Sequence, residues 1–201
     1  TAKAKRNPKK VVFAEADTYK VLKAAEMALE EGIAEPILLG REIKINKIIQ
    51  EYNLDLPNCT IIDPRSDETI DQRERFAKIL HEKRKRRGLT FYEAKKMMRE
   101  RNYYASAMVE TGMADVMISG ITRSYKETIR PALQVIGAEE GINKIAGMYI
   151  LISKDGPIFF ADTTININPT IEEIVDITLL VARTVKEHKI KPRIAMLSYS
   201  N

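Results

Sequence analysis

The sequence predicts an α/β protein: three α/β/α layers around a mostly parallel sheet, followed by a second, smaller mixed-sheet subdomain. Three observations carry that expectation. Short continuous apolar runs alternate with segments of helical period, the pattern of strands buried on both faces. Helix-start signatures of the T/S-x-x-E kind recur at Thr90 with Glu93, Ser124 with Glu127 and Thr170 with Glu173. Two apolar runs flank Asp155-Gly156, the signal of an antiparallel hairpin.

In chain order, residues 10–14 (KVVFA) read as the first strand. Residues 18–32 follow with helical spacing, Val21, Leu22, Ala25, Ala28 and Leu29 sharing one face and Gly32 supplying a stop. The run 36–40 (PILLG) is the next strand, then a helix over 44–52, then a strand over 59–63. Two long helical patterns cover 67–86 and 90–112, and residues 115–119 form another strand. Pro131 sits badly deep inside a helix, so the regular helix after Ser124 is expected to begin near Thr128, with Pro131 in its first turn.

Residues 146–153 and 158–162 form the hairpin around the turn 154–157, and the loop DTTININP leads to a helix capped by Thr170. Its apolar stripe runs Ile171, Ile174, Val175, Thr178, Val181, Ala182 and Val185. Residues 193–198 (RIAMLS) are a last strand candidate. The interruption GAEEGIN over 137–143 suggests a first α/β domain over 1–140 and the start of a second over 141–201. A chain stopping directly after a strand reads as a piece of something longer.

Composition narrows the class. The chain has 201 residues, 44% hydrophobic and 30% charged, enough for a large core and unlike a disordered or fibrous chain. Cys59 is the single cysteine, so no intrachain disulfide forms; it reads as a small packing residue. No apolar run approaches the ~20 residues that span a bilayer, and the start TAKAKRNPKK lacks the apolar segment of a secretory leader. A cytoplasmic protein without membrane partners is the expectation. His81 and His188 lie on helical patterns without metal-ligand spacing and read as surface histidines.

The net charge of +5 is unevenly spread, with basic groups at the N-terminus, at residues 83–87 (KRKRR) and at Lys95, Lys96, Arg99 and Arg101. Solvated helix faces, a phosphorylated small ligand and nucleic acid all fit charge alone. No nucleic-acid motif supports the last, and no nucleic-acid partner is expected. The stretch DVMISGITRSYKETIRPALQVI points to an anion, since a strand runs through Gly120 into a helix start with Arg123 and Arg130 close by. Ser119 and Gly120 end one strand and Ser198 and Ser200 follow another, where ligands of open α/β sheets gather. Ser124 fits both a cap and a ligand contact. Asp162 and Asn166 fit local turn bonding as well as a site.

Several ordered segments resemble the phosphate acetyl/butyryltransferase family across nearly the whole chain: FAEADTYKVLKAAEMALEEGIAEPILLG, KRKRRGLT, SGITRSYKETIRPALQVI, FFADTTININPTIEEIVDI and PRIAMLSYS. The resemblance implies a two-domain α/β fold of the isocitrate/isopropylmalate dehydrogenase-like kind, usually dimeric. It implies acetyl transfer between coenzyme A and phosphate, with no metal in the chemistry. By position, Arg84 and Arg130 match family arginines implicated in binding coenzyme A. Ser198 and Ser200 match the start of a serine-rich loop near the phosphate or acetyl phosphate.

Two departures bear on function. Where stand-alone enzymes read S-T-A-D-T, this chain has Ser124 to Thr128 as SYKET, and the family's catalytic serine, arginine and aspartate lie beyond Asn201. No catalytic residue is therefore expected here. The wording GMYILISKDGP and ADTTININPT is similar to the C-terminal transferase-like domain of hybrid NADP-dependent malic enzymes. That likeness implies a regulatory domain that binds acetyl-CoA and promotes homo-oligomers. Oxidative decarboxylation of malate to pyruvate, with NADP and a divalent metal, would belong to the missing N-terminal portion of the parent. The alternative is a fragment of a phosphate acetyltransferase, with acetyl-CoA or phosphate as ligand.

Overall fold

A four-stranded sheet forms from β1 (Lys9–Phe13), β2 (Ala34–Leu39), β3 (Thr60–Ile62) and β4 (Val116–Ile118), in the order β3-β2-β1-β4 with every pair parallel. The computed structural model describes residues 2–197 of the chain, in one unit running to Gly137 and another starting at Ala138. Parallel strands need crossovers, and helices supply them. Side chains alternate across β1, so Val11 and Phe13 enter one core while Val12 and Ala14 enter the other.

On the first face pack α2 (Tyr19–Glu30) and α3 (Glu42–Glu51), through Leu22, Ala25 and Ile45. Cys59 packs against this core as a half-buried thiol, as its sequence context suggests, and burial pushes its pKa up. On the second face lie α4 (Ile70–Arg84), α5 (Phe91–Met97), α6 (Arg101–Glu110) and α7 (Tyr125–Val135). At their centre Phe76 meets Tyr104 edge-on, with ring centroids 5.0 Å apart. A short helix, α1 (Ala2–Arg6), precedes the sheet where the basic start gave no element.

Three expectations change. The pattern over 90–112 is two helices, because Glu100 accepts from the N–H groups of Asn102 and Tyr103 at 2.9 and 3.2 Å and so caps a new start. Helix α7 begins at Tyr125 rather than near Thr128, set by the Ser124–Glu127 capping box, and carries Pro131 in its interior. Residues 193–197 form no strand, since no strand among the described residues pairs with them; Ser198 lies outside those residues.

The second unit contains the antiparallel hairpin of β5 (Met148–Ser153) and β6 (Gly156–Ala161), turning through Lys154 and Asp155. Helix α8 (Ile171–Glu187) follows, capped by Thr170 and Glu173 and packed on β6. No helix among the described residues is long and apolar enough to cross a membrane.

Candidate functional site

The end of α4 builds a basic turn. After Arg84 the chain winds through a 3-10 turn at Lys85–Arg87 and reverses at Gly88, whose φ of +84° is left-handed backbone that glycine adopts without strain. The Gly88 N–H closes the turn on the Lys85 carbonyl at 3.0 Å. His81 fastens the far side: its Nδ1–H donates to the Leu89 carbonyl at 3.0 Å, and its ring lies edge-on to Phe91. His81 is therefore half-buried rather than a surface histidine, because a backbone carbonyl within the fold needs its donor. His188 is exposed and donates to the Thr184 carbonyl at 2.9 Å.

Facing this turn is α7, where Arg130 and Gln134 stand one turn apart on the same side. Arg84, Arg87, Lys96, Arg130, Glu93 and Gln134 line one pocket of about 540 Å³, with Leu89 and Met97 as its apolar part. Among the described residues no carboxylate pairs with any of those four cations. The Glu93 carboxylate is committed to its cap, accepting from the Thr90 N–H and hydroxyl at 2.8 and 2.7 Å. Those two bonds hold its pKa below the usual range against a small burial effect, so it stays anionic. Four cations against one occupied carboxylate leave the pocket with an excess of positive charge, which suits a multiply charged anion.

Tyr103 reports the convergence of the two arginines. Its hydroxyl donates to Gln134 Oε1 at 2.6 Å. Burial pushes the Tyr103 pKa up, while the positive charges of Arg130 and Arg84 both pull it down. Both guanidinium groups thus act on one phenol, which is bonded to the pocket residue Gln134.

The remaining sequence candidates fall elsewhere. Ser119, Gly120 and Ser124 are not among the residues lining this pocket. Ser119 donates to Asn102 Oδ1 at 2.7 Å, and Gly120 takes φ +113°. The backbone amides expected to face an anion are occupied. Glu15, 4% exposed, accepts from Ile121 N and Thr122 N at 2.8 and 3.0 Å. Ser124 N donates to Glu127 Oε2 at 3.0 Å, and Ser124 Oγ accepts from Glu127 N at 3.4 Å. Ser124 is a cap here.

In the second unit Asp162 collects five N–H groups. Its carboxylate accepts from Gly147 N, Thr164 N, Ile165 N and Asn166 N at 2.8, 3.1, 3.2 and 2.6 Å, and from Asn166 Nδ2 at 2.6 Å. Burial alone would raise its pKa, but the backbone amides outweigh it and hold the value at about 2. Asn166 Nδ2 also reaches the Ile145 carbonyl at 2.9 Å. Ser198 and Ser200 lie outside the described residues.

Sequence reasoning noted the KRKRR run and Lys96 but named only Arg84 and Arg130. Arg87, Lys96 and Gln134 join them through the reversal at Gly88, a glycine directly after five basic residues. A second pocket of about 910 Å³ at the β2–β3 side of the sheet was not anticipated. Its wall mixes Arg41, Lys44 and Lys47 with Asp63, Asp67 and Glu68, which favours no single ligand charge.

With this geometry in view, the phosphate acetyl/butaryl transferase family description matches residues 1–201. The chain belongs to that family. It is similar to a phosphate acetyltransferase of Clostridium acetobutylicum, 35% identical over 98% of this chain and 60% of that protein. The phosphate acetyltransferase of Helicobacter pylori is 37% identical over 98% of this chain and 38% of its own length. A crystal structure of a phosphotransacetylase from Streptococcus pyogenes superimposes with a TM-score of 0.85 at 32% identity, over 99% of this chain and 61% of that one. An NADP-dependent malic enzyme of Haemophilus influenzae is 31% identical over all of this chain and 27% of its length. This transferase-family chain thus spans about 60% of the Clostridium relative and less of the longer ones.

Proposed function

We propose that this chain is the coenzyme A-binding part of a phosphate acetyltransferase, which moves an acetyl group between coenzyme A and phosphate. The single observation that carries this reading is the pocket in which Arg84, Arg87, Lys96 and Arg130 converge without carboxylate partners among the described residues. Coenzyme A carries its charge on phosphate groups, and arginine binds phosphate oxygens through paired N–H donors. Leu89 and Met97 offer apolar surface beside those donors.

In this mechanism the cations fix the phosphorylated end of coenzyme A, so its thiolate is presented to the acetyl phosphate carbonyl in an oriented encounter. Attack forms the thioester bond, breaks the acyl–oxygen bond and releases phosphate. The reverse reaction has phosphate attacking the thioester. Ser198 and Ser200 are proposed as hydroxyl donors to the phosphate. Ser119, Gly120 and Ser124 support the site through the backbone they hold, and Asp162 and Asn166 are proposed as ligand contacts of the second unit.

A second reading has one specific observation behind it, the match of the whole chain to the malic enzyme of Haemophilus influenzae. There the same pocket would bind acetyl-CoA as a regulator and the domain would promote oligomers, while NADP and a divalent metal would serve malate oxidation elsewhere in the parent. The phosphate acetyltransferases of Clostridium acetobutylicum and Helicobacter pylori are more similar, at 35% and 37% identity against 31%. Acetyl-CoA formation from acetyl phosphate and coenzyme A by the full-length protein tests the choice. Turnover supports the transferase reading. Malate-dependent NADP reduction that responds to acetyl-CoA, without transacetylation, overturns it.

A further inference from the structure

Helix α7 carries a defect at its centre. Pro131 has no N–H, so the Glu127 carbonyl one turn earlier lacks its helical donor. An interior proline normally breaks a helix or kinks it, yet α7 continues to Val135. Asn102 of α6 occupies the gap. Its Nδ2 lies 3.4 Å from the Glu127 carbonyl, and its Oδ1 accepts from Ser119 Oγ at 2.7 Å. Its own carbonyl accepts from Ser106 Oγ at 2.7 Å, and its N–H is taken by Glu100. Asn102 is 2% exposed, so each of these bonds replaces one that water cannot make.

We propose that Asn102 is a positioning residue for the basic pocket: it stands in for the N–H that Pro131 lacks and so sets where α7 presents Arg130. Arg130 is the residue directly before the proline, and α7 is also the element that carries Gln134. The same amide ties that helix to Ser119 at the end of β4, so one buried side chain couples the sheet end to the pocket wall. The inference rests on the coenzyme A reading for its functional consequence but not for its geometry.

The test compares wild type, Asn102→Ala, Pro131→Ala and the double variant as full-length proteins. Hydrogen–deuterium exchange over residues 127–135 and coenzyme A affinity by calorimetry are both read. Asn102→Ala should speed exchange through α7 about tenfold and weaken coenzyme A about fivefold or more, from loss of one buried donor. In the Pro131→Ala background the helix regains its own N–H, and both effects of Asn102→Ala should shrink to within about twofold.

Equal losses with and without Pro131 overturn the proposal, as does unchanged exchange in α7. A fall in melting temperature with affinity intact assigns Asn102 a purely structural part and also overturns it. Should Asn102→Ala fail to fold, the double variant must fold, and an unfolded double variant counts against the proposal. A wild type that binds no coenzyme A refutes the function proposed above and leaves exchange to decide this one.

Discussion

Asp162→Asn should weaken the second unit, and the loss should fade in acid. The native carboxylate accepts four backbone N–H groups and the Asn166 amide, and its pKa stands at about 2 against an ordinary 3.8. A shift of that size corresponds to about 2 kcal/mol, and solvent around a half-buried group brings it to roughly 1–2 kcal/mol. Because the folded pKa is depressed, the stabilisation is fully present above the unfolded value of 3.8. It is lost as pH falls through about 2. The assay is urea denaturation of wild type and variant at neutral pH and near pH 3, with hydrogen exchange over residues 145–166 locating the change. The difference between the two proteins should fall by about half at the acid value. A difference that stays constant over this range would refute the reasoning.

Three other outcomes follow from contacts in the first unit. Lys83 donates to the Val135 and Ile136 carbonyls at 2.6 and 3.4 Å and pairs with Glu110, so Lys83→Met should lower stability by about 1–3 kcal/mol in urea melts. Phe76 is 1% exposed against Tyr104, and Phe76→Ala should cost about 3–5 kcal/mol in the same measurement. Gly88→Ala forces a side chain into left-handed backbone, costing about 1–2 kcal/mol, and should weaken coenzyme A binding by shifting Arg84 against Arg87.

The parts of this molecule that were legible in its sequence are those with local causes. Thr90, Ser124 and Thr170 each lie three residues before a glutamate, and each forms a two-way capping box. The runs containing Val11 and Leu38 form strands buried in cores, as continuous apolar stretches require. The misplaced features have distant causes. Local rules put Pro131 in a first turn, but its missing donor comes from Asn102, 25 residues before the carbonyl it serves. The break at Glu100 looks like any exposed glutamate in a helical pattern until its side chain turns back onto its own backbone.

The candidate site divides the same way. Arg84 and Arg130 are far apart in sequence and share a pocket only because α4 and α7 pack together. The expected anion-binding amides after Gly120 are instead taken by Glu15, whose partners lie 106 and 107 residues away. Charge pattern located the basic segments, but only tertiary packing decided which cations meet.

Calorimetric titration of coenzyme A into the full-length protein, beside Arg84→Ala and Arg130→Ala, bears most directly on the convergence of these cations around a phosphorylated ligand. Each charge-assisted contact is worth about 1.5–3 kcal/mol, so either substitution should weaken binding about tenfold or more while circular dichroism stays unchanged. Wild-type affinity retained by both folded variants would contradict it.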